Sequence, residues 1–307
     1  MRAAVTGSTG LIGTALRRHL EANGHDVIRV VRGGPARDGR ILWDPDEGTI
    51  DAAGFEGLDA VVHLAGESIA GRWTKAKKRA IRESRVQGTR LLCRTLVGLK
   101  QPPKSLLSAS AIGIYGSQGD RVLNEEAPHG HDFLAEVCEQ WEAPTTLAHG
   151  NGIRVVNLRF AMVLSGGGGA LAKMLPFFRI GIGGPLGSGR QWTSWVHLDD
   201  LAALFHFLLE NERALGAYNG TSPNPVTNKE LSRALGRVLH RPSALPVPEP
   251  MLRLTLGEVA KVLVTGQKVL PRRAEEAGFR FEHPEIEEAL RDLLGKKASR
   301  ELERSSA

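Results

Sequence analysis

Gly7, Gly10 and Gly13 lie in the stretch TGSTGLIG, directly after the apolar run RAAVT (2–6) and at the head of LIGTALRRHLEANG (11–24). That spacing suits one task, the holding of a pyrophosphate. Gly7 permits a tight turn, Gly10 lets the backbone approach a diphosphate, and Gly13 lets the helix pack closely on the strand. The free N–H groups and dipole of the helix start then face the negative charge. The order strand, glycine turn, helix is what separates a dinucleotide site from an ordinary glycine turn. Gly7, Thr9, Gly10, Leu11, Ile12 and Gly13 are the contacts it predicts.

Val31 and Arg32 end the second apolar run, DVIRVVR (26–32), and Arg32 stands 19 residues after Gly13. An acid at this point binds the ribose 2′-hydroxyl of NAD, whereas an arginine suits a 2′-phosphate. NADP(H) is therefore expected over NAD(H). HLAGE (63–67) closes a fourth run, and small residues there leave room for the cofactor beside Leu64, Ala65 and Gly66. Trp43 and Asp44 end the third run. They either border the adenine or, for Trp43, serve packing.

The elements that must position these residues alternate. Strand patterns at 2–6, 26–32, 40–43, 58–66, 104–110 and 152–159 are separated by helical patterns at 11–24, 74–99 and 131–142. This predicts an α/β fold, a Rossmann doubly wound parallel sheet with helices on both faces. After Ser165 the pattern loosens into glycine-rich loops, and six prolines break the chain between 223 and 250. Helical segments near 227–239, 252–264 and 285–295 predict a small, mostly helical C-terminal lobe. The boundaries expected are 1–223 for the cofactor domain, with 166–189 contributing to the substrate lobe, 224–295 for the lobe, and a flexible tail at 296–307.

Composition narrows the partners. Hydrophobic content of 41% and charged content of 24% are those of a soluble globular protein. Cys93 and Cys138 make neither a disulfide framework nor a zinc-ligand cluster, so no metal and a reducing, cytoplasmic setting are expected. No secretory signal or membrane-length apolar run is seen. The net charge of +6 is spread along the chain except for KAKKRAIRESR (75–85), which reads as a solvated helix face. Neither nucleic acid nor membrane is expected as a partner; an unidentified small-molecule substrate or ligand is.

The glycine pattern, HLAG, SASAIGIYG, NLRFAMVLS and WVHLDDLA together resemble the extended short-chain dehydrogenase/reductases, the epimerase/dehydratase group. WDP (43–45), LAGESI (64–69), RWTKAKKRAIRESR (72–85), DFLAEVCEQWE (132–142), GSGRQWTSWVHLDDL (187–201) and GQKVLPRRAEEAGFRFEHP (266–284) are similar to one branch of it. That branch is the epimerase-family proteins akin to family 39U, which carry a C-terminal domain of unknown function. The resemblance implies that Met162 and Val163 border the nicotinamide. It also implies that Arg85 either contacts a cofactor phosphate or ribose or is a surface arginine. It places Arg190, Gln191, Trp192 and Trp195 near a substrate loop, where the two tryptophans suit a flat or apolar ligand, with core packing as their default role. His197 and Asp199–Asp200 match a structural element in which Asp200 caps the next helix. Homodimerisation through sheet-flanking helices is a further implication.

Hydride-transfer enzymes of this group set a tyrosine four residues before a lysine, which lowers the phenol's pKa from about 10. This chain has two tyrosines, Tyr115 and Tyr218, and Gly119 and Ser222 stand four places after them. In the helix where the pair belongs, Phe133, Val137 and Trp141 form an apolar stripe. The family's catalytic serine falls on Ala111, flanked by Ser108 and Ser110. Ser110, Tyr115 and Glu67 are the remaining acid/base candidates, with His131, Glu136 and Cys138 behind them. Two readings stay open: an NADP(H)-dependent oxidoreductase of the epimerase family with non-standard acid/base groups, and a non-catalytic NADP(H) sensor or regulator.

Overall fold

The computed structural model describes the backbone of residues 1–33 and 39–305 and the side chains of those residues through Gly295. The chain opens β1 (Arg2–Thr6), α1 (Leu11–Ala22), β2 (Asp26–Val31), β3 (Ile41–Asp44), β4 (Thr49–Ile50), β5 (Ala60–His63) and α2 (Lys75–Val97). It continues β6 (Ser105–Ala111), β7 (Val122–Leu123), α3 (Phe133–Glu142), α4 (Thr145–Gly150), β8 (Arg154–Phe160), β9 (Met162–Ser165) and α5 (Gly169–Arg179). Then come β10 (Trp192–Thr193), β11 (Trp195–His197), α6 (Leu198–Glu210), β12 (Gly216–Gly220), β13 (Val226–Thr227) and α7 (Asn228–Leu239). The chain closes with α8 (Glu249–Leu256), α9 (Val259–Val264), β14 (Lys268–Val269), α10 (Arg272–Glu276) and α11 (Ile286–Ser305).

Eight strands form one sheet in the order β12-β8-β6-β5-β1-β2-β3-β4. All neighbours are parallel except the β3–β4 hairpin. Alternate residues go to opposite faces, as the pleat requires. Ala3, Val5, Val62, Leu107 and Val156 pack with α1 and α6 through Leu16, Leu20, Leu204, Phe205 and Leu208. Ala4, Val61, Leu106 and Val155 pack with α2 and α4 through Leu92, Cys93, Leu96 and Ala148. With both faces covered, the strands read as the near-continuous apolar runs seen in the sequence.

The order reverses between β1 and β5. The chain winds one way through β1, β2 and β3, and the other way through β5, β6, β8 and β12. The crevice above the C-terminal ends of β1 and β5 is therefore the switch point where open α/β sheets bind ligands.

The lobe has its own apolar core of Leu171, Leu175, Phe178, Leu231, Leu235, Ala289 and Leu290, drawn from α5, α7 and α11. Helix α7 starts with a capping box between Thr227 and Glu230. The expected single helix at 252–264 is instead α8 and α9, divided at Gly257, whose φ of +64° suits glycine. The segment between α9 and α11 returns to the sheet domain. There β14 pairs with β7, and the Arg273 guanidinium donates to the carbonyls of Ala217 (2.7 Å) and Leu215 (2.9 Å), around the edge strand. The backbone of α11 runs on to Ser305, while the side chains of the expected flexible tail, 296–307, lie outside the described residues. Among the described residues no helix is long and apolar enough to cross a membrane.

Candidate functional site

The glycine turn is built as a cradle against β5. Gly7 has φ +65°, and a Cβ there would lie 2.9 Å from the Leu64 carbonyl carbon and 3.0 Å from the Ala65 nitrogen. A Cβ on Gly13 would lie 2.2 Å from the Gly7 oxygen, so only glycine lets the helix start close on the turn. Gly10 caps α1 with no side-chain partner for the first amides. These orphan N–H groups and the helix dipole are what a diphosphate needs. The Ser8 hydroxyl is buried inside the turn with no protein partner among the described residues, and sequence reasoning missed it.

Beneath the cradle, Thr6 Oγ1 accepts from the Leu64 N–H (3.0 Å) and the Ala65 N–H (3.1 Å) and lies 2.8 Å from His63 Nδ1. His63 Nε2 lies 3.1 Å from Thr89 Oγ1 on α2. A hydroxyl has one proton and two lone pairs. Both lone pairs of Thr6 are taken, so its proton goes to Nδ1, and Nε2–H donates to Thr89. Burial, helped by the nearby Arg85 charge, pushes the His63 pKa down to about 4. The neutral imidazole thus ties β1, β5 and α2 together under the site.

The other expected cofactor residues gather unequally. The side chain of Leu11 lies 3.2 Å from where a Gly168 Cβ would stand. The turn into α5 therefore rests on the cradle and brings Val163, at the base of that turn, beside it, with Met162 adjoining in β9. Arg32 follows β2 and pairs at the surface with Asp46, 3.2 Å away. Residues 34–38 beyond it are outside the described set. Trp43 is a core residue, 4% exposed and edge-on to His63, which settles it as packing. Asp44 is occupied by accepting the N–H groups of Asp46 and Glu47 in its turn.

Arg85 is no surface arginine. Its guanidinium donates to the Glu67 carbonyl (2.8 Å) and the Ile81 carbonyl (3.1 Å) and stacks 4.8 Å from the Trp141 ring. A Cβ on Gly66 would meet it at 3.4 Å. It lies behind the β5 loop and props that loop from α2.

Helix α3 carries Val137 and Trp141 into the core, 2% and 5% exposed, where the family's lysine would need room. Phe133 packs against Trp73 and under the Lys78 ammonium. Two acid/base candidates are locked. Ser110 is fully buried and donates to Glu142 Oε1 at 2.6 Å. Tyr115 is fully buried, donates to Asn219 Oδ1 (2.7 Å) and accepts from Arg159 Nη1 (3.1 Å); burial raises its pKa against the opposing pull of Arg159. Arg159 also makes a two-pronged pair with Glu142, at 2.8 and 2.7 Å. These groups form one buried structural network between the sheet and α3. Cys138 is out of range for proton transfer near neutrality, since burial pushes its thiol to about 12. His131 is exposed, and Glu136 pairs with Arg82. Glu67 is different. It follows the end of β5, is partly open to solvent and forms an ion pair with Lys77.

The loop before α6 decides one open reading and corrects one expectation. Trp195 is fully buried and donates to the Asn224 carbonyl (3.1 Å), so it is core and not a ligand platform. Trp192 is partly exposed, with its N–H on Asp120 and the Lys268 ammonium 4.0 Å from its ring. Arg190 is exposed, while Gln191 donates to the Leu186 and Leu263 carbonyls, which ties the loop to α9. Asp200 does not cap α6. His197 does, accepting the Asp199 N–H, while Asp200, a residue further in, turns outward to accept the N–H groups of Glu282 and His283. The basic face of α2 is laced to acids, Lys77 to Glu67, Lys78 to Glu258 and Arg82 to Glu136.

A doubly wound sheet with a glycine cradle at its switch point defines a Rossmann-type nucleotide-binding fold. The chain belongs to the NAD dependent epimerase/dehydratase family, whose model matches residues 3–219, and a domain of unknown function (DUF1731) matches residues 247–293. It is 43% identical over 303 residues to the Epimerase family protein SDR39U1 homolog, chloroplastic, of Arabidopsis thaliana, covering 96% of this chain and 87% of that one. It is 42% identical over 289 residues to the Epimerase family protein Mb2239 of Mycobacterium bovis, covering 94% and 95%. The crystal structure of human epimerase family protein SDR39U1 (isoform2) with NADPH is similar with a TM-score of 0.87 and 36% identity, covering 95% of this chain and 99% of that one.

Proposed function

We propose that this chain binds NADP(H) in the cradle and acts as an oxidoreductase on a small carbonyl or hydroxyl compound, with Glu67 and Lys77 handling the proton. The observation that carries the reading is the cradle itself, closed on Leu64 and Ala65 with the Ser8 hydroxyl left for a ligand oxygen. The NADPH of the human relative supports the same assignment. Arg32 supports NADP(H) over NAD(H), because its partner among the described residues is a solvent-exposed carboxylate that a 2′-phosphate outcompetes.

When bound, the cofactor supplies or accepts the hydride. The N-terminal amides of α1 and Ser8 hold the diphosphate, and Arg85 holds the 64–67 loop in place. Lys77, kept next to Glu67, carries the proton that a reduced carbonyl oxygen takes up. Neither Ser110 nor Tyr115 is free to do so.

The test is to incubate the protein with NADPH and a broad carbonyl panel while following loss of the reduced ring's absorbance, with Lys77→Met alongside. Turnover that Lys77→Met removes supports the reading. Turnover that survives the substitution removes Lys77 from it. A second reading, a non-catalytic NADP(H) sensor, is favoured by the locking of Ser110 and Tyr115 in a structural network. Tight binding selective for one redox state, with no turnover of any carbonyl, would establish the sensor instead.

A further inference from the structure

At the other end of the strands from the cradle, beside the start of β2, three imidazoles and a carboxylate converge from three elements. His19 lies near the end of α1, His25 directly precedes β2, and His206 and Glu210 sit one turn apart on α6. His206 Nε2 is 2.8 Å from His25 Nε2 and 3.3 Å from Glu210 Oε1, and the last two atoms are 3.7 Å apart. His206 Nδ1 is 3.2 Å from His19 Nε2. The two central imidazole side chains are 9% and 15% exposed, whereas Glu210 is 57% exposed, so the cluster is buried on one side and open on the other.

We propose that His25, His206 and Glu210 form a site for one divalent transition metal ion of the zinc class, with His19 orienting His206. Ligands about 2.0–2.1 Å from a tetrahedral ion lie about 3.3 Å from one another. The three separations here straddle that value, so an ion enters with side-chain adjustments of a few tenths of an ångström. Imidazole, imidazole and carboxylate are a zinc donor set, and magnesium or calcium would call for more oxygens. The second nitrogen of His206 is already engaged by His19, the arrangement that fixes a ligating ring's tautomer and orientation. Glu210 faces solvent, which gives the ion a way in and leaves a fourth position for water.

The site joins α1, α6 and the start of β2. His19 is nine residues along α1 from Gly10, roughly 14 Å at 1.5 Å per residue. The ion therefore does not reach the cofactor cradle. It clamps two helices that cover one face of the sheet. The signal is invisible locally in the sequence, since His25 and His206 are 181 residues apart.

The test uses the full chain without a histidine tag, stripped with chelator and titrated with Zn²⁺ by calorimetry and thermal unfolding. One ion per chain and a raised unfolding midpoint are expected, with no rise from Mg²⁺ at equal concentration. His206→Gln should weaken Zn²⁺ binding by at least about 10-fold, since losing even an outer-shell partner commonly costs that much. Glu210→Gln, on a mostly exposed side chain, keeps the fold and should weaken binding in the same direction. NADPH affinity should not change in either variant. The proposal is overturned if no stoichiometric Zn²⁺ binding occurs, or if both variants bind as the parent does. It is equally overturned if His283→Gln, in the separate His197–His283–Asp292 group, is the substitution that removes binding.

Discussion

The Thr6 hydroxyl donates to His63 Nδ1 at 2.8 Å while both its lone pairs accept backbone N–H groups of the β5 loop. No acceptor remains for a proton on Nδ1. Burial, helped by the nearby Arg85 charge, depresses the His63 pKa to about 4. Unfolded, the ring titrates near 6.5. The unfolded chain therefore takes up the proton first as pH falls. This contribution to stability is complete above about 6.5 and is lost progressively down to about 4, by on the order of 3 kcal/mol. Denaturation midpoints at pH 7, 5.5 and 4.5 should fall in that order. In His63→Gln the decline should be shallower; an unchanged slope would assign the pH dependence elsewhere.

Glu142 and Arg159 form a two-pronged pair with side chains only 13% and 6% exposed. Removing one partner leaves a buried charge unmet, and Glu142→Ala should cost about 3 to 5 kcal/mol by chemical denaturation. The apolar double replacement Glu142→Met with Arg159→Met should recover a large part of that loss, because it buries no lone charge. If the network is structural, NADPH affinity in the double variant stays near the parent's. A collapse of affinity with intact stability would make it part of the cofactor site.

The cradle was legible in the sequence because its parts are contiguous and its demands on glycine are local. The alternation of strands and helices, and with it the parallel sheet, followed from the apolar runs. What sequence did not show is which polar side chains meet across elements. Ser110 and Tyr115 read as available acids only because Glu142, Arg159 and Asn219, their buried partners, come from other parts of the chain. Asp200 read as a cap because it opens a helix, yet His197 reaches the free N–H first and residues 282–283, far along the chain, claim the carboxylate. Tryptophan count gave residue type without place, so lining and core packing both stayed open for Trp195, and only its full burial assigns it to the core.

Arg32 offers a clean separation of affinity from stability. Its pairing with Asp46 joins two side chains that are 51% and 73% exposed, and such pairs add little to folding. Arg32→Ala should leave the unfolding midpoint nearly unchanged. It should weaken NADPH by about 10-fold or more, the loss of a charge-assisted contact of about 1.5 to 3 kcal/mol, with NADH affected far less. Calorimetric titration of both cofactors reads this directly. Equal losses for the two would remove Arg32 from 2′-phosphate recognition.

Helix α3 bears on whether the missing tyrosine and lysine can be put back. Phe133 is partly exposed beside Trp73, so Phe133→Tyr is expected to be tolerated. Val137 is 2% exposed and faces the core. A lysine side chain placed there must either bury its charge or shed its proton, and both cost free energy at pH 7. The double variant Phe133→Tyr with Val137→Lys should therefore lose stability, roughly 3 kcal/mol or more. Part of that loss should be regained as pH rises toward 10 and the ammonium deprotonates. NADPH oxidation with the carbonyl panel should not increase. A stable double variant with new turnover would mean that the ancestral relay differs from this chain by two side chains alone; the packing of α3 argues that its whole inner face has been rebuilt.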